Sequence, residues 1–368
     1  MAKIERIEVL MVNLEPEVPR SDAIQSFVRQ ETPIVRITDS DGLIGTGYSY
    51  TIGTGGHSVV ELIVRHLAPL LIGEDPAHLE ALWKRMFLST HATAVGAITS
   101  LALAAIDIAL WDLKCRRANL PLHVMAGGAQ ETVPLYSTEG GWLHIEASAL
   151  VEDALEVQQQ GFGGAKVKVG RPHVAEDLER LTAVREAVGP AFDIMVDANQ
   201  AFTLDEAIRR ARHFEKIDIA WFEEPLPAED LDGHVRLSNT TSLPVAVGES
   251  LYSLSHFREY LQRGACSIIQ TDAARIGGIT PWLKCAHLAE SFNISIAPHF
   301  LMELHVSLSA AVPNGRWVEY IPQLDPITSS RMTIKNGTAI PPQTAGLGID
   351  WDWQRIEKET AFAQIISS

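Results

Sequence analysis

The sequence predicts an α/β chain: a (β/α) barrel, preceded by a smaller α+β unit and followed by a tail. Three observations predict it. Eight short apolar runs recur between residues 133 and 320, and seven of them lead into amphipathic helical stretches. The segment ahead of them reads as strands followed by helices, the order of an α+β unit. The eighth run lacks a normal helix and leads to "MTIKNGTAIPP" (332–342), a hairpin with an Asn336-Gly337 turn.

In the first unit, "IERIEVLMV" (4–12), "PIVRITD" (33–39) and "IGTGYSY" (44–50) read as strands, with "DSDG" (39–42) turning between the second and third. Helical patterns cover about 57–72, 77–88 and 93–117. Glycines and polar residues in "MAGGAQE" (125–131) mark a boundary. The barrel runs are "VPLYST" (133–138), "AKVKV" (165–169), "DIMVDA" (193–198), "IAWFEE" (219–224), "PVAVGE" (244–249), "CSIIQTD" (266–272), "ISIAPH" (294–299) and "RWVEY" (316–320). The expected division is 1–128, 129–325 and 326–368, the last segment returning to the first unit.

Length and composition suit an ordinary globular protein: 368 residues, 46% hydrophobic and 21% charged. The net charge of −16 argues against nucleic acid and anionic membrane as partners. Cys115, Cys266 and Cys285 are widely spaced and read as reduced thiols of a cytoplasmic protein. The charged start "MAKIERIEVL" is unlike a secretory signal, and the most apolar stretch, "LALAAIDIALWDL", is interrupted by Asp107 and Asp112. "TIGTGG" (51–56) and "RIGGIT" (275–280) lack the strand–helix context of a dinucleotide loop.

"GGAKVKVGRP" (163–172) places Lys166 and Lys168 on one strand face. Alone, it reads as a half-exposed strand with a solvated lysine face. The other strand ends argue otherwise. Chemistry in such barrels sits at the C-terminal ends of the strands, and those ends carry Asp197 with Asn199, Glu223, Glu249, Asp272, His299 and Glu319. Clustered carboxylates repel and resist burial, so a stability-only barrel would avoid them. A cation makes the cluster sensible. Asp197, Glu223 and Glu249 lie at 26-residue intervals on successive strands, and neighbouring strands are about 4.8 Å apart. Three hard oxygen donors favour Mg²⁺ over Zn²⁺. Strand parity lets only one of Glu223 and Glu224 face inward.

Lys168 is then a candidate base, its pKa expected to be lowered by Lys166 and the metal. Asp272 and His299 end adjacent strands, where a carboxylate fixes the imidazole tautomer. Glu319, if protonated, can donate a hydrogen bond to a developing oxyanion.

The segments "KVKVG", "VDANQ", "WFEEP", "VGES", "QTDAARIGG" and "APHF" together resemble, in order and spacing, the enolase superfamily. Lys-x-Lys with an Asp/His dyad resembles its mandelate racemase subgroup. The resemblance covers essentially the whole chain and implies a (β/α)7β barrel with an N-terminal α+β capping domain that the C-terminal tail completes. It implies that Asp197, Glu223 and Glu249 bind Mg²⁺, and that Lys168 and the Asp272-paired His299 are the two acid/base groups. Lys166 and Glu319 would bind and polarise a substrate carboxylate. Thr138 matches a hydroxyl position that contacts it, and Asn199 is a further expected substrate contact.

The implied chemistry is removal of the proton α to a carboxylate. "GGWLH" (140–144), "GGITPWLKCAHLAE" and "APHFLMELHVSLSAA" resemble the talarate/galactarate dehydratases, so the expected reaction is dehydration of an acid sugar. Loops 13–30 and 50–57 resemble the family's specificity regions. Arg20, Ser21, Asp22, Gln25, Arg29 and Thr51 within them suit a polyhydroxylated substrate. Racemisation or epimerisation of a hydroxy acid is the alternative, and a non-catalytic barrel holding Mg²⁺ is a third. A homo-oligomer is expected.

Overall fold

The structure, a computed structural model, describes residues 2–367. Eight parallel strands close the barrel: Val133–Ser137, Gly164–Lys168, Asp193–Asp197, Trp221–Glu223, Val245–Val247, Ile268–Ile269, Ser295–Ile296 and Val318–Tyr320. The eighth pairs with the first, Glu319 opposite Tyr136. The seventh joins the eighth through a bridge from Ile296 to Gly315. Seven helices, beginning with Ala147–Gln159 and ending with Met302–Ala311, fill the intervals, which is the expected (β/α)7β order.

The helices follow their pattern and end charges. In Leu204–Phe214 the buried face is Ala207, Ala211 and Phe214, spaced by four and three residues. Asp205 and Glu206 open that helix and Arg212 and His213 close it, the polarity the helix dipole favours. Inside the barrel, Tyr136, Met195, Trp221, Ile268, Ala297 and Trp317 form a buried layer distinct from the outer core. This layer is the floor of the site.

The cap is an antiparallel sheet of Ile4–Leu14, Gln30–Asp39 and Ile44–Tyr48, with Thr360–Ser367 paired along the free side of Ile4–Leu14. The tail first sends Thr338–Ile340 to pair with barrel strand one, then reaches the cap. Helix Ala97–Ala118 lies on the cap sheet, and glycines permit that closeness: a Cβ at Gly47 would sit 2.2 Å from the Ala109 nitrogen. The helical pattern expected over 57–72 is broken into Gly56–Leu62, a wide turn at Ile63–Leu67 and a tight one at Ala68–Leu70. Pro69, which has no N–H to continue the ladder, accounts for the break.

The two aspartates in the apolar helix join parts of the fold. Asp107 accepts from the Thr280 N–H at 2.9 Å and hydroxyl at 2.7 Å. Asp112 accepts from the N–H groups of Thr46 and Leu347, both at 2.9 Å, and from Arg116. Gly278, in "RIGGIT", has φ 119° and faces Asp107 where a side chain would collide. The three cysteines are free and buried, and among the described residues no helix is long and apolar enough to cross a membrane.

Candidate active site

Lys166 and Lys168 both point into the barrel mouth and are buried, 1% and 5% exposed, so the solvated-face reading fails. Lys166 Nζ lies 2.8 Å from Glu223 Oε1, 2.8 Å from Glu319 Oε1 and 3.6 Å from Asp197 Oδ2. Lys168 Nζ pairs with Asp197 Oδ2 and donates to Asn199 Oδ1 at 3.0 Å. The register explains it: Lys168, Asp197 and Glu223 are direct neighbours across strands two, three and four.

Asp197, Glu223 and Glu249 each turn a carboxylate oxygen to a common point, the three atoms within 4.8 Å of one another. Glu249 reaches it past Gly248, whose φ of 157° brings the chain against Gln270 where a Cβ would collide. Glu249 Oε2 is buried and accepts no hydrogen bond, although His299 Nε2 lies 3.3 Å away. Three hard donors, one of them unsatisfied, fit a divalent cation of the Mg²⁺ type. Burial, and next to it Asp197, push Glu223 up to about 7. Asp197 stays below the usual carboxylate range, because Lys168 and Lys166 outweigh its burial.

Across the mouth, His299 Nδ1 is 2.9 Å from Asp272 Oδ2, and Nε2 is 3.3 Å from Glu249 Oε2. Asp272 is tied down by Tyr50 OH at 2.7 Å and by the N–H groups of Ala274 and Arg275. The His299 ring stacks on Phe300, centroids 5.3 Å apart. Burial alone would lower its pKa, but Glu249 and Asp272 outweigh burial and raise it.

Two groups depart from expectation. While Asp197 pairs with it, Lys168 is raised rather than lowered: burial and Lys166 pull it down, but the Asp197 contact, with Glu249 and Glu223, prevails. The expected lowering belongs to a site whose three carboxylates hold the cation instead. Glu319 is not a protonated donor. Although burial opposes ionisation, Lys166 and His299 hold it well below the usual range. Both its oxygens accept, from Thr138 Oγ1 at 2.6 Å and from the Phe300 N–H at 2.8 Å. Thr138 and Asn199 therefore face Glu319 and Lys168 in this arrangement. Of the glutamate pair, Glu223 alone joins the carboxylate cluster, as strand parity requires, although Glu224, at φ 37°, is buried too. Burial and then Glu249 raise Glu224 well above the carboxylate range, and its Oε2 has no partner.

The capping loops close the mouth, but not with the whole expected polar set. Arg20 spends its donors on Gln323 Oε1 at 2.8 Å, the Pro322 carbonyl at 3.1 Å and Glu139. The Thr51 hydroxyl donates to Glu31 at 2.6 Å. Ser21 bonds His144 at 2.7 Å, and Gln25 and Arg29 are exposed. Asp22 is the acid left near the base: burial raises its pKa, opposed first by Lys168. Tyr50, Arg275, Trp142 and Gln270 were not foreseen as site groups. Gln270 Nε2 donates to Glu223 Oε2 at 2.7 Å, and Arg275 Nε donates to Tyr50 OH at 3.0 Å.

Fold and site define a capped (β/α)7β barrel enzyme whose mouth sets a carboxylate cluster between two lysines and an Asp–His dyad. Known proteins agree. Residues 149–355 match the model of enolase C-terminal domain-like proteins, and residues 6–127 match the N-terminal domain of mandelate racemase / muconate lactonizing enzyme. The chain belongs to the enolase superfamily, in its mandelate racemase/muconate lactonizing enzyme group. It is 36% identical over 94% of its length to an L-talarate/galactarate dehydratase of Salmonella typhimurium, covering 88% of that protein. It is also 36% identical over 96% of its length to a 3,6-anhydro-alpha-L-galactonate cycloisomerase of Streptomyces coelicolor, covering 98% of that one. An L-talarate dehydratase from Polaromonas sp. JS666, solved with Mg and L-glucarate, superposes with TM-score 0.95 at 36% identity, each chain covered in full.

Proposed function

We propose that the chain is a Mg²⁺-dependent dehydratase of an acid sugar. One observation carries this reading: two proton-carrying groups, Lys168 on strand two and His299 after strand seven, flank the carboxylates of strands three to five. The similarity to dehydratases of talarate and galactarate supports it.

Asp197, Glu223 and Glu249 would hold Mg²⁺, which supplies positive charge where a carboxylate becomes more negative. Lys166 binds that carboxylate, Glu319 with Thr138 fixes the Lys166 ammonium, and Asn199 fixes that of Lys168. Lys168 stands on one face of the α-carbon and His299 on the other. One group takes the α-proton, and the electron pair left behind expels the β-hydroxyl. A proton from His299 Nε2 turns the departing group into water. Asp272 holds Nδ1–H, so Nε2 is the atom that exchanges protons. The enol product tautomerises to an α-keto acid, so atoms balance as loss of one water. The floor of Tyr136, Trp221 and Trp317 keeps solvent from entering from below.

The test is a screen of mono- and diacid sugars for Mg²⁺-dependent α-keto acid formation, with products identified by proton NMR. Inversion at the α-carbon without keto acid would replace this reading with an epimerase, and ring formation would replace it with the chemistry named for the Streptomyces relative. No conversion of any acid sugar would end it. The free thiols support a cytoplasmic setting. Exposed Ile24 and Val28 on the capping loop support a homo-oligomer, which light scattering would read directly.

A further inference from the structure

Besides Asp22, the capping segment meets the base through one indole. Arg20, 4% exposed, belongs to the cap side of the mouth. Its guanidinium pairs with Glu139, after barrel strand one, and bonds Pro322 and Gln323, after strand eight. It also lies 5.9 Å from the Trp142 ring. Lys168 Nζ lies 5.3 Å from the same ring. Trp142 is 6% exposed, so both cations meet the indole away from solvent.

The backbone around this indole is fixed to the catalytic strand. The Lys168 N–H donates to the Gly141 carbonyl at 2.7 Å. Arg180, itself buried, donates to the Lys168 carbonyl at 2.9 Å and the Trp142 carbonyl at 3.0 Å. A Cβ at Gly141 would fall 1.8 Å from the Lys166 carbonyl oxygen, so the loop cannot sit this close with any other residue there. The backbones are thus held independently of Arg20. What Arg20 adds is a second cation on the indole that Lys168 touches, each attracted to the negative faces of the ring.

We propose that Trp142 is a positioning residue for Lys168, and that docking of the capping segment through Arg20 sets it. With Arg20 seated on Glu139 and Gln323, the indole is packed against the Lys168 side chain and restricts its ammonium to the α-carbon side of the mouth. With Arg20 displaced, the indole loses one neighbour and Lys168 is held by its polar partners, Asp197 and Asn199, alone. This inference rests on the proposed role of Lys168 as base. It adds a residue that touches no reacting atom, and a link between cap closure and one face of the chemistry only.

Two measurements test it. The first needs no substrate: fluorine NMR of the Mg²⁺-loaded protein labelled with 5-fluorotryptophan, the Trp142 signal being the one missing in Trp142→Phe. That signal should move in Arg20→Gln and, separately, in Lys168→Met. A signal indifferent to either substitution overturns the shared contact, whatever the reaction proves to be. The second uses a pair of α-epimeric acid sugars in D₂O. Misplacing a reacting group by about 1 Å can cost on the order of 100-fold, so Trp142→Ala and Arg20→Gln should slow exchange of the α-proton facing Lys168 by about 10- to 100-fold. Exchange on the His299 face should stay within about twofold of wild type, and Mn²⁺ binding, read by electron paramagnetic resonance, should be unchanged. Equal losses on both faces, or none, overturn the positioning role. Wild-type protein inert to every acid sugar, with the fluorine shifts present, would refute the dehydratase reading and leave the contact standing.

Discussion

Asp272→Asn isolates what the dyad contributes. Asp272 Oδ1 accepts from the Ala274 N–H at 2.7 Å and the Arg275 N–H at 3.2 Å, while Oδ2 faces His299 Nδ1 and Tyr50 OH. In the asparagine variant the amide oxygen must stay with the two N–H groups, so the amide NH₂ faces Nδ1. Nδ1 can then only accept, and the neutral ring carries its proton on Nε2. Two consequences follow. The neutral ring presents Nε2 as a donor and can no longer take a proton there. The imidazolium also loses a charge-assisted hydrogen bond of about 1.5–3 kcal/mol, which at about 1.4 kcal/mol per unit lowers the His299 pKa by about 1–2 units. The sign follows from the raised native value: Asp272 is one of the three groups, with Glu249 and Glu319, that raise it against burial, so its loss moves the value down. The alkaline limb of the elimination rate, where His299 gives up its proton, should shift to lower pH by the same interval. Loss of the correct tautomer costs on the order of 10⁴-fold in a comparable dyad. The assay is keto-acid formation against pH on Mg²⁺-loaded protein, with the His299 ring proton titrated by NMR. An unmoved His299 titration, or elimination within about twofold of wild type, would refute the reasoning.

Other outcomes are equally specific. EDTA should abolish activity reversibly and Glu249→Gln should weaken metal binding strongly, by calorimetry; full activity in demonstrably metal-free protein would sink the mechanism. Lys168→Met and Lys168→Arg should both lose exchange on the Lys168 face while keeping the wild-type circular dichroism, since guanidinium hardly deprotonates; near wild-type turnover in either would make the lysine pair structural. His299→Asn should lose water elimination yet still exchange an α-proton facing Lys168 in D₂O, and retained elimination would reassign the acid. Gly47→Ala forces a methyl to within 2.2 Å of the Ala109 backbone and should cost about 1–3 kcal/mol or more, seen as a lower Tm.

The barrel and its acidic rim were legible because each strand end carries a chemically distinctive residue at regular spacing. Asp197, Glu223 and Glu249 needed only the strand period and the topology to be brought together. What stayed hidden depends on contacts that spacing does not encode. Tyr50 meets Asp272 across 222 residues and Arg20 meets Gln323 across 303, so a cap residue that looked like a substrate contact is a structural tie. Parity allowed one inward glutamate of the pair, which is Glu223, but gave no sign that Glu224 would be buried too, where one positive φ ends the alternation. The direction of the Lys168 shift turned on a balance among Asp197, burial and Lys166, and no pattern of residue types reveals which of these wins. Asp107 and Asp112 looked like interruptions of an apolar stretch. They are the groups that tie the cap helix to the barrel and tail.

The cap sheet also sets a schedule for synthesis. Its strand Ile4–Leu14 leaves the ribosome before the barrel, and its partner Thr360–Ser367 after it. At about 5–20 residues per second, the earlier strand waits roughly 20–70 s for its mate, with one edge unpaired. Throughout that wait the whole barrel is being made and can fold. The edge alternates charged Arg6 and Glu8 with apolar Ile7 and Val9, and a charged edge resists pairing with a neighbouring nascent chain. Slowing translation late in the message would lengthen the exposure without touching the catalytic strands, so aggregation during expression, rather than loss of specific activity, is where that delay would register.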